Sequence, residues 1–256
     1  MKVIILAGGF GTRLSEETNI RPKPMVEIGG EPIIWHIMKI YSYYGHNEFI
    51  ICAGYKQEII KDYFQKYRIS HGDIEINTKA NEVKIIKEPG ENWSIKIIDT
   101  GFNTMTGGRI KRIEKYIEGK TFMLTYGDGL SDVNLNNLKI FHNKHRKYAT
   151  VTAVKPIGRF GALALGENEH VSEFVEKPKG DGVWINGGYF VLEQDIFDLI
   201  DDDLTIWEQD PMINLTREKQ LVAYKHYGFW RPMDTMSDKR VLEELWRDNN
   251  APWKVW

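Results

Sequence analysis

Apolar residues along the chain recur in two periods, and the alternation between those periods sets the expected fold. Residues 2–7 form a short β-branched run stopped by Gly8 and Gly9, the pattern of a buried strand. Ile33, Ile34, Ile37, Ile40, Tyr41 and Tyr44 then recur at helical spacing, and Gly45 closes that helix. Residues 48–53 read as a second apolar strand. Ile60, Tyr63, Phe64 and Tyr67 mark a second amphipathic helix. Strand, helix, strand, helix in that order predicts an α/β fold: a mixed, mainly parallel central sheet with helices on both faces.

Residues 72–99 break this rhythm. Ile74 and Ile76, Val83 and Ile85, and Ile95 and Ile97 alternate with polar residues, as in half-exposed antiparallel strands, which predicts a small β-rich insertion there. The α/β pattern resumes with a helix over about 109–117, a strand at 121–126, a helix over about 135–145 and a strand at 150–154. Further strands are expected at 163–165, 171–175, 184–192 and 221–227. Short and long helices are expected at 195–200 and 237–247. No repeat, low-complexity linker or composition break divides the chain, so residues 1–256 are expected to form one domain with that insertion and an aromatic C-terminal tail.

Composition narrows the function classes. With 34 basic and 36 acidic side chains the formal charge is −2, which argues against a nucleic-acid partner, since that needs a net basic face. Cys52 is the single cysteine, so neither an internal disulfide nor a cysteine-rich zinc module can form, and within an apolar strand it reads as a small buried hydrophobe. No run approaches the roughly 18 to 20 apolar residues of a membrane span, and the first apolar run is too short for a signal peptide. A cytoplasmic protein with no membrane partner is expected. His142 and His145 lie three apart and read as an exposed helix face rather than a metal pair. Five tryptophans follow residue 206 (Trp207, Trp230, Trp246, Trp253 and Trp256), and the tail is expected to dock, on its own chain or on a neighbouring subunit.

The most informative segment runs from Leu6 and Ala7 through Gly8, Gly9, Phe10, Gly11, Thr12 and Arg13 to Leu14, directly after the first strand. It opens a connection of about two dozen residues, far longer than most loops in a compact domain. Glycines let backbone amides approach a polyanion closely, and the carboxyl end of the first strand is where open α/β sheets bind ligands. The segment lacks the third glycine of the dinucleotide fingerprint and the Gly-Lys-Ser/Thr ending of the P-loop. Arg13 supplies a fixed cation with several donors, and Lys23, between Pro22 and Pro24, lies on stiff backbone.

This segment, followed by Lys23-Pro-Met25, resembles the signature of the sugar-phosphate nucleotidylyltransferases. These enzymes join a nucleoside triphosphate to a sugar 1-phosphate and release pyrophosphate. The likeness continues through Tyr126-Gly-Asp-Gly129, Glu176-Lys-Pro178 and Asn186-Gly-Gly188. Met105-Thr-Gly-Gly-Arg109, Gly158-Arg-Phe-Gly-Ala162 and Phe229-Trp-Arg-Pro-Met-Asp234 are similar to the cytidylyl branch of that family. The resemblance implies a Rossmann-like nucleotide-diphospho-sugar transferase fold, CTP and glucose 1-phosphate as substrates, and Mg2+ as cofactor. It also implies a homo-oligomer, with a hexamer as one size, and a product feeding dideoxy sugars of surface polysaccharide.

The resemblance further distributes roles. Residues 6–13, Lys23, Thr104, Arg109 and Asp128 would bind the nucleotide, with Arg13, Lys23 and Asp128 catalytic. Asp128 and Asp234 would hold the metal; both are hard oxygen donors of the kind magnesium prefers. Gly161, Glu176, Lys177 and Asn186 would face the sugar phosphate. A phosphate monoester is already ionised near neutral pH, so charge neutralisation and positioning, rather than a general base, would supply the catalysis. Two rivals remain at this point: a relative using UTP or dTTP, and a silent nucleotide-sugar sensor.

Overall fold

The computed structural model describes residues 1–156 and 183–256 in full, and between them only the backbone of two strands. In chain order the elements are β1 (Val3–Ala7), a one-turn helix α1 (Ser15–Thr18), β2 (Glu27–Ile28), β3 (Glu31–Pro32), α2 (Ile33–Tyr43), β4 (Glu48–Ala53) and α3 (Gln57–His71). Next come β5 (Asp73–Asn77), β6 (Glu82–Lys87), β7 (Ser94–Asp99), α4 (Thr106–Arg112), β8 (Thr121–Tyr126), β9 (Gly129–Ser131), α5 (Leu135–His145) and β10 (Ala149–Val154). The last third holds β11 (Ala162–Leu165), β12 (Val171–Val175), β13 (Ile185–Glu193), α6 (Asp210–Arg217), β14 (Leu221–His226), β15 (Trp230–Pro232) and α7 (Met236–Arg247).

Seven strands form the central sheet in the order β14-β10-β13-β8-β1-β4-β7. β1 runs parallel to both β4 and β8, while β13 is antiparallel to both β8 and β10. The period-2 geometry of a strand divides the core in two. Val3, Ile5 and Ala7 of β1 pack with α2, α5 and α7 on one face; Ile4 and Leu6 pack with Ile110 of α4 and Leu215 of α6 on the other. All five residues of β1 are buried, as expected of a strand covered on both faces. Gly45, at φ 82°, ends α2 where the sequence predicts.

Three expectations change. The insertion keeps only β5 and β6 as its antiparallel pair, because β7 joins the main sheet as an edge strand parallel to β4. Its alternation reflects a solvent-facing edge, not membership of the hairpin. The helix expected to open at Arg109 begins at Thr106 instead and takes in Gly107 and Gly108. It passes so close to the 203–205 segment that a Cβ at Gly108 would lie 2.5 Å from the Asp203 Cα. His142 is not on an exposed face: it is 2% exposed, with its ring nitrogens 2.8 Å from Thr150 Oγ1 and 3.0 Å from a Glu193 carboxylate oxygen. Cys52 is fully buried, which pushes its thiol up to about 12.

The aromatic tail docks on its own chain. Trp253 is fully buried, stacks on Phe229 with ring centroids 5.5 Å apart, and donates from Nε1 to His36 Nδ1 at 3.3 Å. Trp246 packs edge-on against the same imidazole at 4.7 Å. Trp207 is buried in the opposite core layer. Among the described residues, no helix is long and apolar enough to cross a membrane.

Candidate active site

A cleft of about 780 Å³ opens at the carboxyl ends of β1 and β8, where such sheets bind ligands. Residues 6–13 form one wall. Lys23, Asp128 and Asp234 lie at its base, and Phe102, Asn103, Thr104, Met105, Thr106 and Arg109 form the opposite wall. A slightly larger cleft, about 860 Å³, lies beside α3; its carboxylates are ion-paired, Glu88 with Arg68 and Glu91 with Lys39. The glycine loop and the meeting of Lys23 with Asp128 and Asp234 lie in the first cleft.

The glycine loop is shaped by what surrounds it. Gly11 takes a left-handed conformation (φ 65°, ψ 33°) and caps a 3-10 turn over Thr12–Leu14. Thr18, which its sequence position does not single out, donates its hydroxyl to the Gly11 and Leu14 carbonyls at 3.1 Å each. Gly8 is required sterically, since a Cβ there would stand 2.1 Å from Arg109 Nη1. Phe10 is 41% exposed and closes an aromatic cluster at the rim, its ring 5.4 Å from Tyr55 and 5.0 Å from Phe102.

Arg109 is buried and occupied. Nη1 donates to Thr100 Oγ1 (2.8 Å), the Gly101 carbonyl (2.8 Å) and the Ala53 carbonyl (3.3 Å); Nη2 donates to the carbonyls of Gly8 (3.0 Å) and Phe102 (3.3 Å). Desolvation by burial pulls its pKa down. The planar fork thus ties together the ends of three loops that follow β1, β4 and β7. Thr104 is also buried in this wall.

Lys23, Asp128 and Asp234 meet although they are far apart in sequence. β9 and β15 form a short antiparallel pair with Pro232 opposite Gly129 and Arg231 opposite Leu130. The Met233 amide extends that pairing by donating to the Asp128 carbonyl at 2.8 Å. Asp128 precedes β9 and Asp234 follows β15, so this ribbon brings both carboxylates to one end. A capping box between Thr235 and Asp238 then fixes the first turn of α7 immediately after Asp234. The 3-10 turn Lys23–Met25, set by its flanking prolines, points the ammonium between them. Lys23 Nζ is 2.5 Å from Asp128 Oδ2 and 2.6 Å from Asp234 Oδ1. Burial of Lys23 lowers its pKa, but Asp128 and Asp234 together outweigh burial and raise it. Arg13 reaches the other Asp234 oxygen, Oδ2, at 2.9 Å while remaining 72% exposed itself.

The two carboxylates converge on a single cationic point, and both are hard oxygen donors. That donor set fits a magnesium ion shared with phosphate oxygens. Among the described residues no larger group of metal-ligating side chains is present.

Asn186, expected to face the sugar phosphate, lies at the start of β13 beside Tyr126 and next to Gly187 and Gly188 of the cleft lining; the Trp230 indole donates to the Gly187 carbonyl at 2.7 Å. Gly161, Glu176 and Lys177 lie outside the described residues, as does most of the 158–162 motif.

A glycine loop, paired carboxylates and two cations at the carboxyl ends of parallel strands define a nucleotide-handling α/β enzyme. Residues 2–248 match the nucleotidyl transferase family, and the chain belongs to it. It is 51% identical to the glucose-1-phosphate cytidylyltransferase of Salmonella typhimurium, with all of both chains covered. It is 45% identical, again over both full lengths, to a probable glucose-1-phosphate cytidylyltransferase of Bacillus subtilis. Among solved structures, HddC from Yersinia pseudotuberculosis superposes with a TM-score of 0.69 at 25% identity, covering 96% of this chain and 99% of that one. A UDP-glucose pyrophosphorylase complexed with UDP-glucose shares the fold, with a TM-score of 0.68 at 17% identity and coverage of 97% and 98%.

Proposed function

We propose that the chain transfers a cytidylyl group from CTP to α-D-glucose 1-phosphate, giving CDP-glucose and pyrophosphate. The full-length 51% identity to a glucose-1-phosphate cytidylyltransferase supports the substrates. The observation that carries the chemistry is the convergence of Arg13, Lys23, Asp128 and Asp234 under the glycine loop.

In the reaction a sugar-phosphate oxygen bonds to the α-phosphorus of CTP as the bond from that phosphorus to the bridging oxygen breaks, and pyrophosphate leaves. The attacking phosphate is largely ionised at neutral pH, since its second pKa is about 6, so no side chain has to remove a proton. The difficulty is bringing two anions together. Gly8, Gly9, Gly11, Thr12 and Arg13 cradle the triphosphate, and Lys23 and Arg13 turn from the aspartates to phosphate oxygens. Asp128 and Asp234 would hold magnesium, which when bound supplies charge neutralisation at the phosphates. Arg109 acts on the nucleotide through the wall it braces. Asn186 serves the sugar, and Glu176 and Lys177 keep the roles the resemblance implies. Self-association is part of the same reading, and sedimentation velocity at micromolar protein reads it; a monomer there would remove it.

The test is pyrophosphate release with glucose 1-phosphate and each of CTP, UTP, dTTP and ATP. CTP is expected to dominate. Equal rates would overturn the cytidine assignment, and CTP binding without turnover would favour a silent sensor.

A further inference from the structure

Beside the cleft, side chains from four separate segments form one hydrogen-bonded chain. The Gly188 amide donates to Asn186 Oδ1 at 2.8 Å, and Asn186 Nδ2 donates to Tyr126 Oη at 3.0 Å. Tyr126 Oη donates to Glu208 Oε1 at 2.6 Å, and Thr106 Oγ1 donates to Glu208 Oε2 at 2.6 Å. The Trp207 amide donates to Thr106 Oγ1 at 2.9 Å, which holds Glu208's own segment against the start of α4.

The direction of every proton in this chain follows from its ends. An ionised carboxylate only accepts, so Tyr126 and Thr106 must both donate to Glu208. Having spent its proton, Tyr126 can only accept from its other neighbour, so Asn186 must present Nδ2 to it. The Gly188 amide independently demands an acceptor and takes Oδ1. An asparagine amide that could otherwise flip is therefore locked from both sides. Among the described residues, nothing else takes its second Nδ2 proton. Tyr126 and Glu208 have no other part in the reaction derived above. Burial together with the Glu208 carboxylate pushes the Tyr126 phenol up, so it stays a donor throughout the physiological range.

We propose that Glu208 and Tyr126 are positioning residues that lock the amide of Asn186 so that its remaining N–H serves as a directed donor to a hydroxyl oxygen of the sugar phosphate. The same carboxylate grips Thr106 in the nucleotide wall, so one residue holds the two sides of the cleft in register. This rests on the sugar-side role given to Asn186 under the proposed function.

Kinetics on Tyr126→Phe, Glu208→Gln, Asn186→Ala and the double variant Tyr126→Phe/Asn186→Ala test it. Tyr126→Phe removes the acceptor that orients Asn186. Its KM for glucose 1-phosphate is expected to rise roughly five- to tenfold, the scale of one directed hydrogen bond of about 1 kcal/mol, with the KM for CTP changing less than about twofold. Glu208→Gln keeps one acceptor oxygen and is expected to give an intermediate rise. Preference for glucose 1-phosphate over 2-deoxyglucose 1-phosphate or galactose 1-phosphate is expected to fall in both. Because Tyr126 acts through Asn186, the double variant is expected to be no worse than Asn186→Ala alone. Additive losses, or a rise in the CTP KM equal to that for the sugar, would show a general structural effect and overturn the inference while leaving Asn186 at the sugar. If Asn186→Ala leaves the glucose 1-phosphate KM unchanged, the sugar-side role itself fails.

Discussion

Replacing Lys23 with methionine keeps the length of the stem and deletes the cation that two carboxylates share. Asp128 Oδ2 and Asp234 Oδ1 lie 2.5 and 2.6 Å from Nζ, so the two oxygens stand within about 5 Å of each other. At an effective dielectric of about 20, like charges at that separation repel by about 3 kcal/mol. Breaking a buried ion pair costs about 3–5 kcal/mol; side-chain exposures of 28% and 14% for the two aspartates favour the lower end. A loss of about 3 kcal/mol in a protein of this size lowers the melting temperature by roughly 6–12 °C. A divalent cation can take the position the ammonium leaves. Millimolar magnesium without nucleotide is therefore expected to restore several degrees to Lys23→Met and to move the wild type much less. Turnover is expected to fall by roughly 10²-fold, the usual loss for one group stabilising transition-state charge. Thermal melts with and without magnesium read the stability part independently of activity. If the variant melts with the wild type, or magnesium moves both alike, the shared cationic site is not what holds these aspartates.

Arg109→Lys cannot reproduce a fork that serves five acceptors, and it strands the buried carbonyl of Gly8 and the part-buried one of Phe102. A cost of about 2–4 kcal/mol is expected, with a raised KM for CTP; a urea-denaturation midpoint equal to wild type would refute it. Gly8→Ala would place a Cβ 2.1 Å from the same guanidinium and is expected to weaken CTP binding at least tenfold by calorimetry; unchanged affinity would show that the wall yields. Burial holds His36 at about 4 against its usual 6.5, with Nδ1 accepting from Trp253. Its folded pKa is depressed, so the neutral form contributes full stability above pH 6.5, and that stability is lost as pH falls from 6.5 toward 4, amounting to about 2 kcal/mol at pH 5. Protonation also takes the acceptor from Trp253, so tryptophan fluorescence is expected to report release of the tail in that window. Flat stability and emission between pH 7 and 5 would refute it. Lys23 works in the opposite sense: its raised pKa preserves its contribution below about 10.5 and loses it at higher pH.

The alternation of periods was enough to place β1, α2, β4 and α5, because each buries a continuous face whose spacing is set by backbone geometry alone. The glycine loop was legible for the same local reason: residues 6–13 are contiguous, and glycines next to an arginine have few other uses. Short elements were not legible. β9 and β15 have three residues each, too few for a period, and exist only because they pair with each other. β7 reads like its hairpin neighbours, since an edge strand and a hairpin strand both leave one face in water. His142 reads as a solvent-facing helix residue and Arg109 as a nucleotide contact; both are buried, held by groups on distant segments that local spacing does not reveal.

The amino-acid sequence by itself determined which residue types were available and where the chain had to turn. That sufficed for the fold class, the anion-binding loop and the cytidylyl resemblance. Only the tertiary structure decided which charges share a site. Lys23, Asp128 and Asp234 are joined by a ribbon between β9 and β15, and Glu208 reaches Asn186 through Tyr126. Such meetings depend on strand pairings across long sequence separations, where no local spacing rule acts and only the closed fold sets the distance.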